Sequence, residues 1–84
     1  MVDEYKVFHL PSLGEEAGDN AKVSFWYADI GEELSEGDSV IEMVTDKAVF
    51  EVPAPADITL LEVYVDEDDV VNVGDKLFSY KPTV

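Results

Sequence analysis

The segment Glu42-Met43-Val44-Thr45-Asp46-Lys47-Ala48-Val49-Phe50-Glu51-Val52 consists of two apolar-rich runs on either side of a short polar stretch. Strands over residues 40–44 and 48–52 would place Lys47 in the turn of a β-hairpin. The pair Asp46-Lys47 contains no glycine, so a type I turn or a slightly longer loop is expected rather than the type I′ turn that favours Asn-Gly.

The same two-residue period continues on both sides of this hairpin. It predicts further strands over residues 5–10, 23–28, 58–65 and 77–80. Turn residues such as Gly31, Gly37-Asp38 and Gly74-Asp75 separate the strands, Pro53 ends one of them, and residues 13–22 are expected to form a loop. Many short strands with closely spaced turns indicate an all-β sandwich or barrel.

A faint internal repeat supports two similar halves of about four strands each. A shift of 37 positions aligns Gly37-Asp38 with Gly74-Asp75, Tyr27 with Tyr64, Asp29 with Asp66, Leu34 with Val71 and Val40 with Leu77. The halves would then form a sandwich with approximate two-fold symmetry. Gly31 falls opposite Asp68, so a positive φ at Gly31 predicts either a positive φ at Asp68 or a different turn there.

The repeat also predicts where Lys47 lies in the fold. The same shift carries Lys47 to position 84, so the Lys47 hairpin links the halves and its counterpart is the open end of the chain. Lys47 should therefore lie at one end of the sandwich and both termini at the other. We expect one domain over residues 1–84, with a structured core of about residues 4–81, that belongs to a longer chain.

The composition narrows the possible functions. The 84 residues include no cysteine and a single histidine, His9, so neither disulfides nor a Cys/His zinc site can stabilise the fold. The net charge of −15 argues against binding to nucleic acid or to anionic membranes. The acidity should keep the domain monomeric and favour partners with basic docking surfaces.

Lys47 itself is a poor catalyst in this setting. A free lysine amine is almost wholly protonated at neutral pH, so it needs a base before it can act as a nucleophile. Lys47 is a suitable acceptor for a modifying enzyme that supplies its own base, or else an ordinary solvent-facing turn residue. No catalytic or metal site is expected elsewhere, since His9 has no nearby nucleophile and residues 66–69 lack the ligand spacing of a calcium loop.

The motif Glu42-x-x-Thr45-Asp46-Lys47-Ala48, followed by Val52-Pro53-Ala54-Pro55, resembles the lipoylation motif of lipoyl domains in 2-oxo acid dehydrogenase complexes. The similarity covers most of the chain, from residues 10–15 through Trp26 and residues 36–38 to Leu77. It implies a flattened β-barrel of two four-stranded antiparallel sheets, with the modified lysine on a protruding hairpin.

The resemblance implies that Lys47 carries lipoic acid in amide linkage and that Thr45, Asp46 and Ala48 present it to other enzymes. These enzymes would be a lipoate-attaching enzyme, a thiamine-diphosphate-dependent decarboxylase, an acyltransferase core and dihydrolipoyl dehydrogenase. The domain would be a carrier rather than an enzyme, located in the bacterial cytoplasm or the mitochondrial matrix. The loop that selects the decarboxylase would comprise Gly14, Glu15, Glu16, Ala17, Gly18, Asp19 and Asn20.

Several positions depart from the family pattern. The stretch between Gly14 and Val23 is one residue longer than usual, Ile58 and Asp68 replace glycines, and Val44 stands where an acidic residue is common. Two alternatives stay open at this point. One is a biotin carrier, although biotinylation motifs resemble Met-Lys-Met; the other is an unmodified docking module with the same fold.

Overall fold

The computed structural model describes residues 4–13 and 18–83, which form eight β-strands. The strands are β1 (Lys6–His9), β2 (Asn20–Trp26), β3 (Glu33–Leu34), β4 (Ser39–Val44), β5 (Val49–Pro53), β6 (Ile58–Val63), β7 (Val70–Asn72) and β8 (Lys76–Pro82). All neighbours pair antiparallel, in a first sheet of order β1-β8-β6-β3 and a second sheet of order β5-β4-β2-β7. The predicted all-β fold of two four-stranded sheets is confirmed.

The core lies between the two sheets, where alternate residues of the strands point inward. Phe78 of β8 is fully buried at its centre, stacked on Phe8 with 5.1 Å between ring centroids. Trp26 meets the Phe78 ring edge-on at 6.3 Å, and Tyr80 lies at 5.9 Å. Burying a large apolar side chain of this kind stabilises a fold by about 1.5–3 kcal/mol, so this aromatic cluster joins the sheets firmly.

The internal repeat is visible in equivalent hydrogen bonds of the two halves. Ser35 N–H donates to the Asp38 carboxylate at 2.9 Å, and Asn72 N–H donates to the Asp75 carboxylate at the same distance. The aspartate N–H of each turn donates back to the carbonyl of Ser35 or Asn72, at 2.9 Å in both cases. The 37-residue shift thus aligns two turns of the same construction. The same shift does not align β1 with β5. The reason is that the connection from β1 to β2 comprises residues 10–19, whereas the shorter connection from β5 to β6 comprises residues 54–57.

Asp68 adopts the backbone conformation that the repeat demands. Its φ is 76°, against 89° for Gly31, and it is the one non-glycine residue with positive φ in the described ranges. Gly31 N–H donates to the Leu60 carbonyl at 2.7 Å, and Asp68 N–H donates to the Val23 carbonyl at 2.8 Å. Of the two alternatives that the repeat left open at Asp68, the structure therefore has the positive φ. Aspartate tolerates this region better than most residues with a Cβ.

The structure corrects three details of the predicted strands. β3 and β7 were not predicted, because strands of two and three residues are too short to show alternation, although the repeat aligned their buried residues Leu34 and Val71. The predicted loop over residues 13–22 is too long, since β2 already begins at Asn20. Pro53 is the last residue of β5 rather than a stop; its missing N–H is tolerated because β5 is an edge strand.

In the described part of the chain, no helix has the length and apolar character needed to span a membrane.

Candidate functional site

The hairpin of β4 and β5 carries Lys47 at its tip. The two strands pair from Ser39 opposite Pro53 to Val44 opposite Val49, so residues 45–48 project beyond the last paired position. Met43, one residue before the last paired position, is fully buried in the core and so anchors β4 just below the tip. The sequence therefore builds a rigid stem with a short, exposed tip.

Thr45 organises the backbone of this tip. Its N–H donates to the Ala48 carbonyl at 2.8 Å, and its hydroxyl oxygen accepts the N–H of Lys47 at 3.2 Å and of Ala48 at 3.1 Å. The hydroxyl thus takes the place that the Thr45 carbonyl would have in an ordinary tight turn. Neither Asp46 nor Lys47 has a positive φ, so the turn is not of type I′, as predicted.

The side chain of Lys47 is open to modification. Lys47 and its neighbours Asp46 and Ala48 are exposed, whereas Thr45 is half-buried. Within residues 4–13 and 18–83, no hydrogen bond or ion pair holds the Lys47 ammonium group, and the one ion pair there joins Lys22 to Asp68 at 3.6 Å. An enzyme can therefore reach the Lys47 amine without first breaking a contact within these ranges.

Lys47 lies at the end of the sandwich that is remote from the first and last described residues. Lys6 of β1 pairs with Tyr80 of β8, and Thr83 N–H donates to the Asp57 carbonyl at 3.0 Å. Asp57 also accepts the N–H of Glu36 at 3.0 Å, just before β4 begins. The length of β4, about 3.4 Å per residue, therefore separates this region from the hairpin tip. The predicted separation of Lys47 from the two ends is thus present for the described residues nearest to each end, Lys6 and Thr83.

Part of the predicted partner loop lies beside the hairpin. Lys22 pairs with Val44, so the residues just before it approach the tip end of the second sheet. Asp19 accepts the N–H of Val73 at 2.8 Å through its carbonyl, and Asn20 is not a loop residue but the first residue of β2. Gly14 and Gly18 predict a loop around this position, but the pairing of Asn20 with Asn72 places it in a strand. Gly18 is exposed with a φ of 81°. The other predicted loop residues, Gly14, Glu15, Glu16 and Ala17, lie outside the described residues.

The structure also reveals a polar network that sequence reasoning missed. On the outer face of the second sheet, the Tyr27 hydroxyl lies 3.2 Å from a carboxylate oxygen of Glu42 and 3.2 Å from one of Glu51. Glu42 also accepts the Ser24 hydroxyl at 3.0 Å, and Glu51 accepts the Ser39 hydroxyl. These residues are 15 and 24 positions from Tyr27, so only the strand register brings them together.

This environment changes the acidity of the tyrosine. Desolvation of the half-exposed ring, together with hydrogen bonds to Glu42 and Glu51 and repulsion by their charges, raises the pKa of Tyr27 from 10.0 to about 12. Each effect disfavours the phenolate. Tyr27 is therefore a neutral phenol whose one O–H proton is shared between Glu42 of β4 and Glu51 of β5, next to the end of β2.

His9 and the acidic turn of residues 66–69 make hydrogen bonds that stabilise the fold. His9 Nδ1 lies 2.9 Å from the Gly74 carbonyl oxygen and so links β1 to the turn between β7 and β8. In the acidic turn, the Asp66 N–H donates to the Asp69 carboxylate at 2.9 Å. Over residues 4–13 and 18–83, no cluster of His, Cys, Asp or Glu has the geometry of a metal site.

Comparisons with known sequences agree with the motif around Lys47. A family model described as "Biotin-requiring enzyme" (Biotin_lipoyl) matches residues 6–79. The chain is 40% identical over 68 residues to the dihydrolipoyllysine-residue acetyltransferase component of the pyruvate dehydrogenase complex of Staphylococcus epidermidis. It is 38% identical over 68 residues to the component of the same name in Staphylococcus aureus. Each alignment covers 81% of this chain but only 16% of the relative.

Comparisons with solved structures support the same fold. The lipoyl domain of the 2-oxoglutarate dehydrogenase complex of Azotobacter vinelandii matches with a TM-score of 0.72 and 28% identity, covering 88% of this chain and 92% of that domain. A single-chain, multi-domain long-chain acyl-CoA carboxylase matches with a TM-score of 0.82, covering 100% of this chain and 8% of that one. The identity to the carboxylase is 18%, so this second match supports the fold alone.

Proposed function

Because the chain belongs to the biotin- and lipoyl-attachment family, we propose that it is a lipoyl carrier domain in which lipoic acid is joined by an amide bond to Lys47. One observation carries the proposal above all. Lys47 is exposed at the tip of a rigid hairpin, inside the motif Thr45-Asp46-Lys47-Ala48.

The residues at the tip fit such an attachment. Amide formation requires Nζ to lose a proton to a base of the attaching enzyme and to attack an activated lipoyl carbonyl, from which the activating group leaves. Nζ of Lys47 is accessible for this reaction, and the Thr45 hydroxyl fixes the backbone from which the side chain projects. The domain contributes position and recognition, while the base and the activated acyl group come from the enzyme.

The place of Lys47 in the fold suits a carrier. When bound, lipoate supplies a dithiolane that accepts an acyl group and electrons. The protein's part is to hold the attachment point far from the ends of the domain, where further parts of a longer chain would be joined. We propose that tethering keeps the arm at high effective concentration near a thiamine-diphosphate-dependent decarboxylase, an acyltransferase core and dihydrolipoyl dehydrogenase.

The parent protein is then proposed to be a dihydrolipoamide acyltransferase, in which this domain itself is not the enzyme. The curated relatives are acetyltransferase components of pyruvate dehydrogenase complexes, and the chain matches 16% of their length. The identity of the 2-oxo acid follows from the decarboxylase that accepts the domain.

Biotin attachment is the second candidate, since the matching family model is described as "Biotin-requiring enzyme". The hairpin favours lipoate, because Asp46 and Ala48 flank Lys47 where biotinylation motifs resemble Met-Lys-Met. The charge of Asp46 and the small Ala48 side chain give the tip a different surface from one with two methionines.

The test is intact-mass analysis of the domain after incubation with a lipoate ligase or a biotin ligase, each with its acid and ATP. We expect a lipoyl-sized mass increase with the first ligase, and no increase in the Lys47→Arg variant, which keeps the positive charge. A biotinyl-sized increase would favour the second candidate. If neither ligase modifies the protein, both carrier proposals are wrong and an unmodified docking module remains.

A further inference from the structure

Three valines and a lysine form a row across the outer face of the second sheet, directly below the hairpin tip. Val49 of β5 pairs with Val44 of β4, Val44 pairs with Lys22 of β2, and Lys22 pairs with Val70 of β7. Directly opposed residues of antiparallel strands place their side chains on the same face. With strands about 4.8 Å apart, the row is about 14 Å long. We call Val44, Val49 and Val70, with Lys22 between them, the valine row.

The valines of this row face solvent. Val49 is 62% exposed and Val70 is 66% exposed, whereas Val71, the chain neighbour of Val70, is 1% exposed and points into the core. Val44 is half-buried between its neighbours. A single exposed valine needs no explanation, but three valines in one row, interrupted only by Lys22 on β2, are unusual on a protein with 20 acidic residues.

Acidic groups flank the valine row, together with the exposed Phe25, which pairs with Glu42. Glu42 and Glu51 form the next row along the same face, since they pair with each other on β4 and β5. Asp46 lies at the tip above the row, and Asp68 lies beside it, in contact with the one basic member, Lys22, at 3.6 Å. The surface thus has an apolar centre with a negative rim, and a complementary partner has an apolar patch with a basic rim.

We propose that the valine row is the docking surface for the enzyme that attaches lipoate to Lys47. This inference rests on the proposed function. An enzyme that acylates Nζ must bring its reacting carbonyl to about 3–3.5 Å from that atom. It must therefore close around the tip and cover the strand positions next to it, which are Val44 and Val49. Enzymes that act on the loaded domain react at the far end of the arm, so their chemistry alone does not require contact with Val44 and Val49.

The chemistry of the attaching enzyme agrees with the charge of the rim. Activation of the lipoate carboxylate with a nucleoside triphosphate requires basic groups that bind the phosphates. A basic active-site mouth facing this domain is attracted by Glu42, Glu51 and Asp46. The valine row supplies the desolvated centre of the interface, and the acidic rim accelerates the encounter.

The test uses a lipoate ligase, lipoate and ATP, with the unmodified domain as the varied substrate. The double substitution Val49→Thr and Val70→Thr keeps the branched shape and the strand preference of valine but makes the row polar. Ile30→Thr is the matched control, because Ile30 is 63% exposed but lies in the Gly31 turn, away from the second sheet. Thermal melts establish that each variant folds.

We expect the double variant to raise KM for the domain about tenfold with kcat unchanged, because the loss affects association and not the reacting atoms. Ile30→Thr should match the wild type. Equal KM values for the double variant and the wild type, with Lys47 still lipoylated, would overturn the docking proposal alone. So would a defect found only in reductive acylation by a 2-oxo acid decarboxylase. A wild-type domain that is never lipoylated would overturn the proposed function as well.

Discussion

Replacing Thr45 with valine removes the hydroxyl oxygen that holds the tip of the Lys47 hairpin while preserving the shape of the side chain. That oxygen accepts two backbone N–H groups, from Lys47 at 3.2 Å and Ala48 at 3.1 Å. A typical protein hydrogen bond contributes about 0.5–1.5 kcal/mol net of its exchange with water. Both N–H groups are at an exposed tip, where water can replace part of each lost hydrogen bond. We therefore expect the loss of both bonds to lower the free energy of unfolding by about 1 kcal/mol.

This loss should be visible both in stability and in modification. A decrease of about 1 kcal/mol in the free energy of unfolding lowers Tm by about 4–8 °C in a domain of this size. The same free energy changes the ratio of ordered to open tip by about fivefold. If only the ordered tip is acylated, kcat/KM for lipoylation of Lys47 falls by up to about fivefold.

Two further variants distinguish the loss of the Thr45 hydroxyl from the other effects of replacing threonine with valine. Thr45→Ser keeps the acceptor oxygen and should restore both Tm and kcat/KM. Thr59→Val makes the same chemical change in β6, where the hydroxyl has only a 3.4 Å contact with Thr83, and should cost less than about 0.5 kcal/mol. Thermal unfolding and initial lipoylation rates measure all three variants. Wild-type behaviour of Thr45→Val, or a defect in Thr45→Ser equal to that in Thr45→Val, would refute the role of the hydroxyl.

Three other predictions concern the fold and its charges. Gly31→Ala should lower the free energy of unfolding by about 1 kcal/mol, because the φ of 89° at Gly31 disfavours a Cβ. Asp68→Gly, in the equivalent turn, should change the free energy of unfolding by less than about 0.5 kcal/mol. Relief of backbone strain at Asp68 offsets the loss of its surface ion pair with Lys22. Denaturation experiments compare the two. Ultraviolet titration against Tyr27→Phe should place the pKa of Tyr27 at about 12, and Glu42→Gln with Glu51→Gln should return it toward 10.0. Because the folded state holds this proton more tightly, the associated stability is present below pH 10 and is lost as the pH rises through 12. Added KCl should raise Tm by screening the net charge of −15, and a Tm that falls with salt would contradict this.

Sequence patterns predicted the structure correctly where a residue type favours one backbone conformation, or where apolar residues alternate with a regular period. The alignment of Gly31 with Asp68 predicted either a positive φ at Asp68 or a different turn, and the structure has the positive φ. The alternation of apolar and polar residues around Lys47 predicted the hairpin. The internal repeat predicted that Lys47 lies at the end of the sandwich remote from the termini. In each case the information is local, or is repeated in two copies within the chain.

Features set by strand register could not be predicted in this way. The Tyr27 contacts with Glu42 and Glu51, and the row that joins Val49 to Val70, depend on which residues face each other across strands. The bulge near Ser24 shifts the pairing of β2 with β4 and turns Phe25 outward, and no composition or spacing rule predicts its position. The turn role of Thr45 was likewise hidden, because a threonine after a strand also fits an ordinary strand end.

The central claim, that Lys47 alone among the five lysines carries the cofactor, is tested most directly by tandem mass spectrometry of the protein purified from its own cells. The other four lysines, which are Lys6, Lys22, Lys76 and Lys81, serve as internal controls because each has the same amine. We predict a lipoyl-sized increment on the peptide that contains Lys47 and on no other. An unmodified Lys47, or an increment spread over the other lysines, would contradict the account.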